Sequence, residues 1–386
     1  MLLSPPENRP RQQKLQIGSL SLDSQIVQAA LSGYSDLPMR VMARRFGASY
    51  TLCEVMLDQF LARVGTSHRN LARLAIADEE HPVGGQLMGA NPDDFAPAAR
   101  RLVEAGFDCI DINFGCPVKK VLGRCRGGFL LSTPDTALEI VSRVREAVPA
   151  NLPVTLKMRR GIDDSQDSQD KFFTIFDGAF SRGISAITVH GRSVMQRYNG
   201  PSNWDFLAAV KRHAGDRTVL GSGDLFSAQA CVSMLAHTGV DGVTIARGAI
   251  GNPWIFEQTQ NLLNGHSAED LQPPRILSQR DVLSEHFRLA VELHGEQLAS
   301  RTMRKFAIKY AKLHPDSLTV RNAFIAAKNL DDWQAVLLKY YSQDGPGRDP
   351  SEDIDETIEE TANQLGSQTR HLERSVATLT YRSHSL

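Results

Sequence analysis

The chain has 386 residues, 41% of them apolar, and a formal net charge of −1. That is enough apolar material for one large core plus a smaller unit, and the near-zero charge excludes a global attraction to nucleic acid, so any such binding must rest on a local patch. The five cysteines, at positions 53, 109, 116, 125 and 231, form no CxxC pair, which argues for a reducing compartment and against both a disulfide framework and structural zinc.

Residues 1–14 (MLLSPPENRPRQQK) read as a flexible arm. They hold no apolar run of signal-peptide length, and no segment of the chain could span a membrane, so a cytoplasmic location is expected. LQIGSLSLDS (15–24) alternates apolar and polar residues around Gly18, the pattern of a small hairpin. Strands and helices then alternate. The first strand covers 26–31. A helix follows, with Asp36 as N-cap, apolar residues at Leu37, Val41, Met42 and Phe46, and a stop at Gly47. The second strand covers 50–55, and a long polar connection leads to the third at 82–88. Pro92 opens a helix that Gly106 ends. The fourth strand (108–112) runs into Asn113, Cys116 and Pro117, and then into a basic, glycine-bearing run (119–128) that reads as a mobile, phosphate-seeking loop. Further strands at 153–158, 186–189, 218–220 and 242–245 alternate with helices over 133–148, 172–180, 204–213 and 228–236.

Eight strands alternating with helices match a closed (β/α)8 TIM barrel, over residues 15–270. An open doubly wound sheet is disfavoured by the strand count and by the lack of a GxGxxG turn after the first strand. Residues 275–341 keep helical periodicity and show no strand run, which reads as a small all-α domain. That segment has eleven Lys and Arg against seven Asp and Glu, a net of +4, whereas 342–386 has four against nine, a net of −5. The tail is therefore an acidic, partly disordered segment by composition.

In a barrel, the residues that close each strand meet around one cavity. Here they are Ala30, Leu31, Ser32 and Gly33, then Glu54, Gln86, Asn113 and Cys116, Lys157 and Arg159, His190, Ser222-Gly223-Asp224, and Ala246-Arg247-Gly248. A lone Asn or Gln at a strand end usually satisfies a loop, but agreement across seven of the eight strands points to a polar, titratable site. The last two clusters follow the seventh and eighth strands, where barrels hold phosphate on loop amides, and Gly223 and Gly248 allow close backbone approach. Lys157, near the end of an apolar strand, needs an anionic partner if buried. Arg301, Arg304, Lys305, Lys309 and Lys312 recur at helical spacing, so one helix face could track an RNA backbone, with Lys119, Lys120, Arg124 and Arg126 on the same side of the cavity. The ordinary alternative is a solvated helix face.

AALSGYSD, GGQLMG, DINFGCPVKK, TLKMRRG, TVHGRS, GSGDL and TIARGAIGNPWIF, in this order, resemble the tRNA-dihydrouridine synthase family of flavin enzymes, most of all its bacterial members. The resemblance runs over about 26–262 and more weakly to about 340. It implies an FMN-binding barrel followed by a helical domain that grips tRNA. Backbone at Ala30, Leu31 and Ser32 would flank the flavin, and Gln86 would hydrogen-bond its pyrimidine edge. Lys157 would stabilise the reduced anion, and His190, Gly223, Asp224 and Arg247 would complete the ring and phosphate contacts beside Ser222, Ala246 and Gly248. Asn113 and Arg159 would hold the target uracil. NADPH would reduce FMN, the reduced flavin would deliver hydride to C6, and Cys116 would protonate C5 as general acid. The chain departs from the family pattern at Ala30-Leu31, Ser222, Ala246 and Phe306. A monomer without metal is expected. Two other functions compete: an FMN barrel acting on a free pyrimidine or small enone, and an RNA-binding protein with a degenerate flavin site.

Overall fold

The computed structural model describes residues 12–62 and 72–350. The expected flexible arm and acidic tail lie outside the described residues over 1–11 and 351–386, as does the stretch 63–71 of the long connection after the second barrel strand. Two short strands, β1 (Leu15–Ile17) and β2 (Leu20–Leu22), form the expected hairpin, with Gly18 at a φ of 57° in its turn. β3 (Ile26–Gln28), β4 (Tyr50–Leu52), β6 (Val83–Met88), β7 (Cys109–Phe114), β8 (Val154–Arg159), β9 (Ala186–His190), β10 (Val219–Ser222) and β11 (Gly242–Ile245) are all parallel. β4 pairs with β6 and β3 with β11, so the sheet closes into an eight-stranded barrel, with the two-residue strand β5 (Met56–Leu57) running beside the end of β6.

Helices begin where the sequence supplies a cap. Asp36, Asn91, Ser165, Asn203 and Ser227 each accept a hydrogen bond from a backbone N–H in the first turn. The helices pack Phe95, Leu102, Ile140, Phe172, Phe176, Leu207 and Met234 against outward-facing strand residues such as Ile110, Ile112, Leu156, Ile187 and Val243. Inside the barrel, Val27, Tyr50, Leu52, Cys109, Ala186 and Leu220 form an apolar layer, and Leu15, Ile17 and Leu22 of the hairpin cover it. The N-terminal end is thus plugged, and the polar side chains are left for the opposite mouth.

The structure revises several element boundaries. β3 stops at Gln28, so Ala30, Leu31 and Ser32 lie on the loop that follows it. β7 extends through Phe114 and β8 through Arg159, which places Asn113 and Arg159 within strands instead of after them. The long polar connection contains β5 and a helix at Asp58–Ala62. The basic run after Cys116 is not an open loop: it forms a helical turn at Lys119–Leu122 and a 3-10 segment at Gly127–Ser132. Arg126 is buried there, donating to Gln59 Oε1 at 3.0 Å, so it does not line an RNA path.

Beyond the barrel come four helices, Ile276–His294, Glu296–Tyr310, Ser317–Ala326 and Leu330–Tyr340. They join the barrel by close contact. Tyr34 meets Phe306 edge-on at 5.4 Å, and a Cβ on Gly251, whose φ is 70°, would lie 2.5 Å from Tyr310 N. The chain then returns to the first of these helices, where Ile276 N–H donates to Gly345 O at 3.0 Å and Arg275 pairs with Asp344 at 2.7 Å. Met1–Gly347 and Arg348–Leu386 divide as separate units; of the second only 348–350 are described. Among the described residues no helix is long and apolar enough to cross a membrane.

Candidate active site

Side chains along a strand alternate faces, so Cys109, Asp111 and Asn113 of β7 point into the barrel together, as do Thr155, Lys157 and Arg159 of β8. Register then sets the neighbours. Gln86 lies opposite Asp111, Asp111 opposite Thr155, Asn113 opposite Lys157, Arg159 opposite His190, and His190 opposite Ser222. The interior changes from apolar at the hairpin end to polar at the mouth within three side chains of each strand.

Cys116 sits in the turn just past β7. Asn113 Oδ1 accepts from the N–H of Gly115 at 2.9 Å and of Cys116 at 3.2 Å, and Arg159 Nε donates to Gly115 O at 2.9 Å. Gly128 N–H donates to Cys116 O at 3.0 Å. A Cβ on Gly127 would fall 2.9 Å from Cys116 Cβ, so the basic segment folds directly over the thiol. Burial raises the Cys116 pKa, against smaller opposite effects of the Val118 backbone and the Arg159 charge, so sulfur carries its proton at neutral pH. That suits a proton donor better than a thiolate nucleophile.

Lys157 reaches towards Ser222 Oγ at 3.5 Å. Burial depresses its pKa to about 8, with Asp111 pulling the other way. His190 is held well below its usual 6.5, by burial first and then by Arg159, Lys157, Arg192 and Arg247, so it is neutral. Arg159 is lowered to about 10 by burial and remains charged at neutral pH. Its Nη1 donates to Ser193 O at 2.8 Å and to Arg197 O at 2.6 Å, so this residue ties the Cys116 turn to the loop after β9.

At the ends of β10 and β11, where the sequence suggests a phosphate cup, His190, Ser222, Gly223, Asp224, Thr244, Ala246, Arg247 and Gly248 line a small cavity, with Leu225 and Phe226 closing one side. Gly248 is pressed against backbone: a Cβ there would stand 2.1 Å from Leu225 O. Asp224, with a φ of 61°, would repel an anion if free, but it is paired with Arg192 at 2.7 Å and accepts from Ser202 N–H at 2.7 Å. Arg247 lies over the rings of Tyr198 at 5.0 Å and Phe226 at 4.9 Å. Thr244 Oγ1 is buried without a partner. Close backbone, a neutralised carboxylate and a guanidinium at the rim fit a phosphate, and the under-partnered Lys157 ammonium fits an anionic ring beside it.

The candidates for RNA contact separate. Lys119 and Lys120 are exposed on the segment over Cys116. Lys305 instead donates to Gly33 O and lies 5.0 Å over the Tyr34 ring, while the Gly33 N–H donates to the Glu54 carboxylate. The loop holding Ala30, Leu31 and Ser32 is thereby gripped from both sides. Arg304 is half-buried, with Nε unpartnered. Sequence reasoning passed over Asp111, Thr155 and Tyr198. The signal for Asp111 was a charge on the inward face of an otherwise apolar strand, and that for Tyr198 an aromatic just beyond HGRS. Among the described residues no group of three or more His, Cys, Asp or Glu could hold a metal.

Comparison with known proteins adds to this geometry. The dihydrouridine synthase (Dus) family model matches residues 27–343. A probable tRNA-dihydrouridine synthase of Rickettsia conorii is 34% identical over 310 residues, 80% of this chain and 91% of that one. The tRNA-dihydrouridine synthase B of Xanthomonas axonopodis pv. citri is 34% identical over 327 residues, covering 85% and 96%. Among solved structures, histamine dehydrogenase from Rhizobium sp. 4-9 superposes with a TM-score of 0.52 at 14% identity, over 72% of this chain and 50% of that one, a likeness of fold.

Proposed function

The chain belongs to the dihydrouridine synthase family, and from that premise we propose that it reduces uridines of tRNA to 5,6-dihydrouridine on FMN, with NADPH as reductant. The observation that supports this reading is the Cys116 turn, pinned by Asn113 and Arg159 at a barrel mouth whose opposite rim is a cavity lined by Gly223, Arg247 and Gly248. When bound and reduced, FMN supplies the hydride that uracil C6 accepts. Every other task falls to the chain. Gly223, Arg247 and Gly248 hold the phosphate, and the Asp224–Arg192 pair keeps the cup free of net negative charge. The Lys157 ammonium would neutralise the anionic ring of the reduced cofactor.

The amide inventory decides what remains for ligands. Gln86 spends one N–H on Asp111 and one lone pair on Asn113 and keeps one of each, a donor and an acceptor that match a pyrimidine edge. Asn113 spends both oxygen lone pairs on Gly115 and Cys116 and one N–H on Gln86, and keeps a single N–H. It can therefore recognise a uracil carbonyl, but it has nothing to offer a ring N–H. As charge develops at C5, the Cys116 thiol gives its proton there, and solvent restores it after release. The uracil must leave its stack to enter the site, with Lys119 and Lys120 meeting the backbone as it does.

The test is Cys116→Ala. We expect the variant to keep its flavin absorbance and lose turnover on tRNA by about 100-fold or more, the scale of positioned acid catalysis. Turnover within a few-fold of wild type would remove Cys116 as the acid.

A further inference from the structure

The orientation of both site amides is fixed from each end of one line of hydrogen bonds. A backbone N–H can only donate. Those of Gly115 and Cys116 lie 2.9 and 3.2 Å from Asn113, so the atom they meet is its oxygen. The Asn113 NH2 then faces Gln86 at 2.7 Å, and Gln86 must answer with its oxygen. Its own NH2 is thereby turned to Asp111 Oδ2 at 2.7 Å, and there the line needs a group that accepts. Asp111 is that group. Its other oxygen accepts from Thr155 Oγ1 at 2.6 Å, and it is almost wholly buried. Turning either amide over would set donor against donor at one joint and oxygen against oxygen at the next, at a depth where Gln86 and Asp111 are buried.

We propose that Asp111 is a positioning residue for the reaction: through Gln86 and Asn113 it sets the polarity of the line that pins the Gly115–Cys116 turn and aims the thiol. This rests on the reading of Cys116 as the proton donor and of Gln86 as a flavin contact. Asp111 touches neither substrate nor cofactor. It acts by leaving Gln86 one defined donor and acceptor for the flavin and Asn113 one defined donor for the uracil. A carboxylate at this depth is costly: burial raises its pKa, and Thr155, Gln86 and the neighbouring Lys157 charge offset only part of that cost.

Two substitutions separate acceptor geometry from charge. Asp111→Asn can still present an oxygen to Gln86 and its NH2 to Thr155 Oγ1. Asp111→Leu, of similar shape, presents no acceptor. The readout that needs neither flavin nor RNA is alkylation of Cys116 by iodoacetamide, scored by peptide mass spectrometry against the exposed Cys125 of the same molecule. With Asp111→Leu the Cys116 to Cys125 rate ratio is expected to rise about tenfold, the scale of one lost buried hydrogen bond. FMN should also bind more weakly, and kcat should fall with little change in KM for tRNA. With Asp111→Asn the ratio should stay within about twofold of wild type, because the line keeps its polarity. If Asp111→Leu does not fold, Gln86→Leu cuts the same line and should raise the ratio likewise. An unchanged ratio in the folded Leu variant overturns the proposal, as does an Asn variant that behaves like Leu, since charge alone would then be at work. A wild-type protein that binds no FMN and reduces no tRNA overturns the functional reading instead, and the alkylation ratio still reports on the line.

Discussion

Lys157 offers the sharpest link between a residue and the proposed cofactor. It is a lysine on the inward face of a barrel strand, with Ser222 Oγ 3.5 Å away, and burial brings its pKa from 10.5 to about 8. At pH 7 about nine in ten such groups carry the proton, and at pH 9 about one in ten. An anionic ring held against the ammonium favours the charged form, so Lys157 has a higher pKa in the complex than in the free protein. Above pH 8, binding must therefore take up a proton, and raising the pH weakens it. The loss between pH 7 and 9 amounts to about tenfold, or about 1.4 kcal/mol. The neighbours do not confuse the reading, because His190 is neutral throughout the range and Arg159, at about 10, stays largely charged. The assay is anaerobic titration of flavin-free protein with dithionite-reduced FMN, the form whose ring is an anion at these pH values, followed by absorbance. Lys157→Met should bind FMN more weakly at pH 7 and show no slope to pH 9. A flat wild-type profile, or an unaltered slope in Lys157→Met, would refute this account of how the flavin is held.

Three further outcomes follow from the packing and the charges. Lys119→Ala should lower the salt slope of tRNA binding by about one unit, the signature of one lost phosphate contact, whereas Lys305→Met should leave that slope unchanged and weaken FMN retention through the Gly33 loop. Gly251→Ala should cost about 1–3 kcal/mol in thermal unfolding, because its φ is 70° and the added methyl meets Tyr310 N; an unchanged melting temperature would mean that the helical part and the barrel are not closely joined there. Glu80→Gln should cost about 3–5 kcal/mol in denaturant unfolding, since it leaves the buried Arg40, now 2.6 Å from the carboxylate, without a counter-charge. A loss below 1 kcal/mol would show that Arg40 finds water instead.

Much of the architecture was written in local pattern. Asp36 and Pro92 mark helix starts, apolar runs such as 154–158 mark strands, and the polar residues that close those strands meet at the mouth of the barrel, Gly223 and Gly248 around one cavity. Local pattern fails where a contact is set by the closed fold. The basic residues from Arg301 to Lys312 have the spacing of an RNA-facing stripe, yet Lys305 turns back to a carbonyl 272 positions away. Arg126 sits in a basic run and is buried against Gln59. Asp111 looked like one letter of a motif, and only the register of β6 against β7 and of β7 against β8 gave it Gln86 and Thr155 as partners. The loop at 30–33 is held by Glu54 and Lys305 together, a grip that neither the strand pattern nor the helix pattern contains.

The central claim is tested most directly by incubating the FMN-loaded protein and NADPH with a pool of unmodified tRNA, then digesting the RNA and weighing its nucleosides. Wild-type protein is expected to yield a uridine heavier by the mass of two hydrogens, and Cys116→Ala little or none. An unchanged nucleoside profile with folded, flavin-loaded wild-type protein would contradict it.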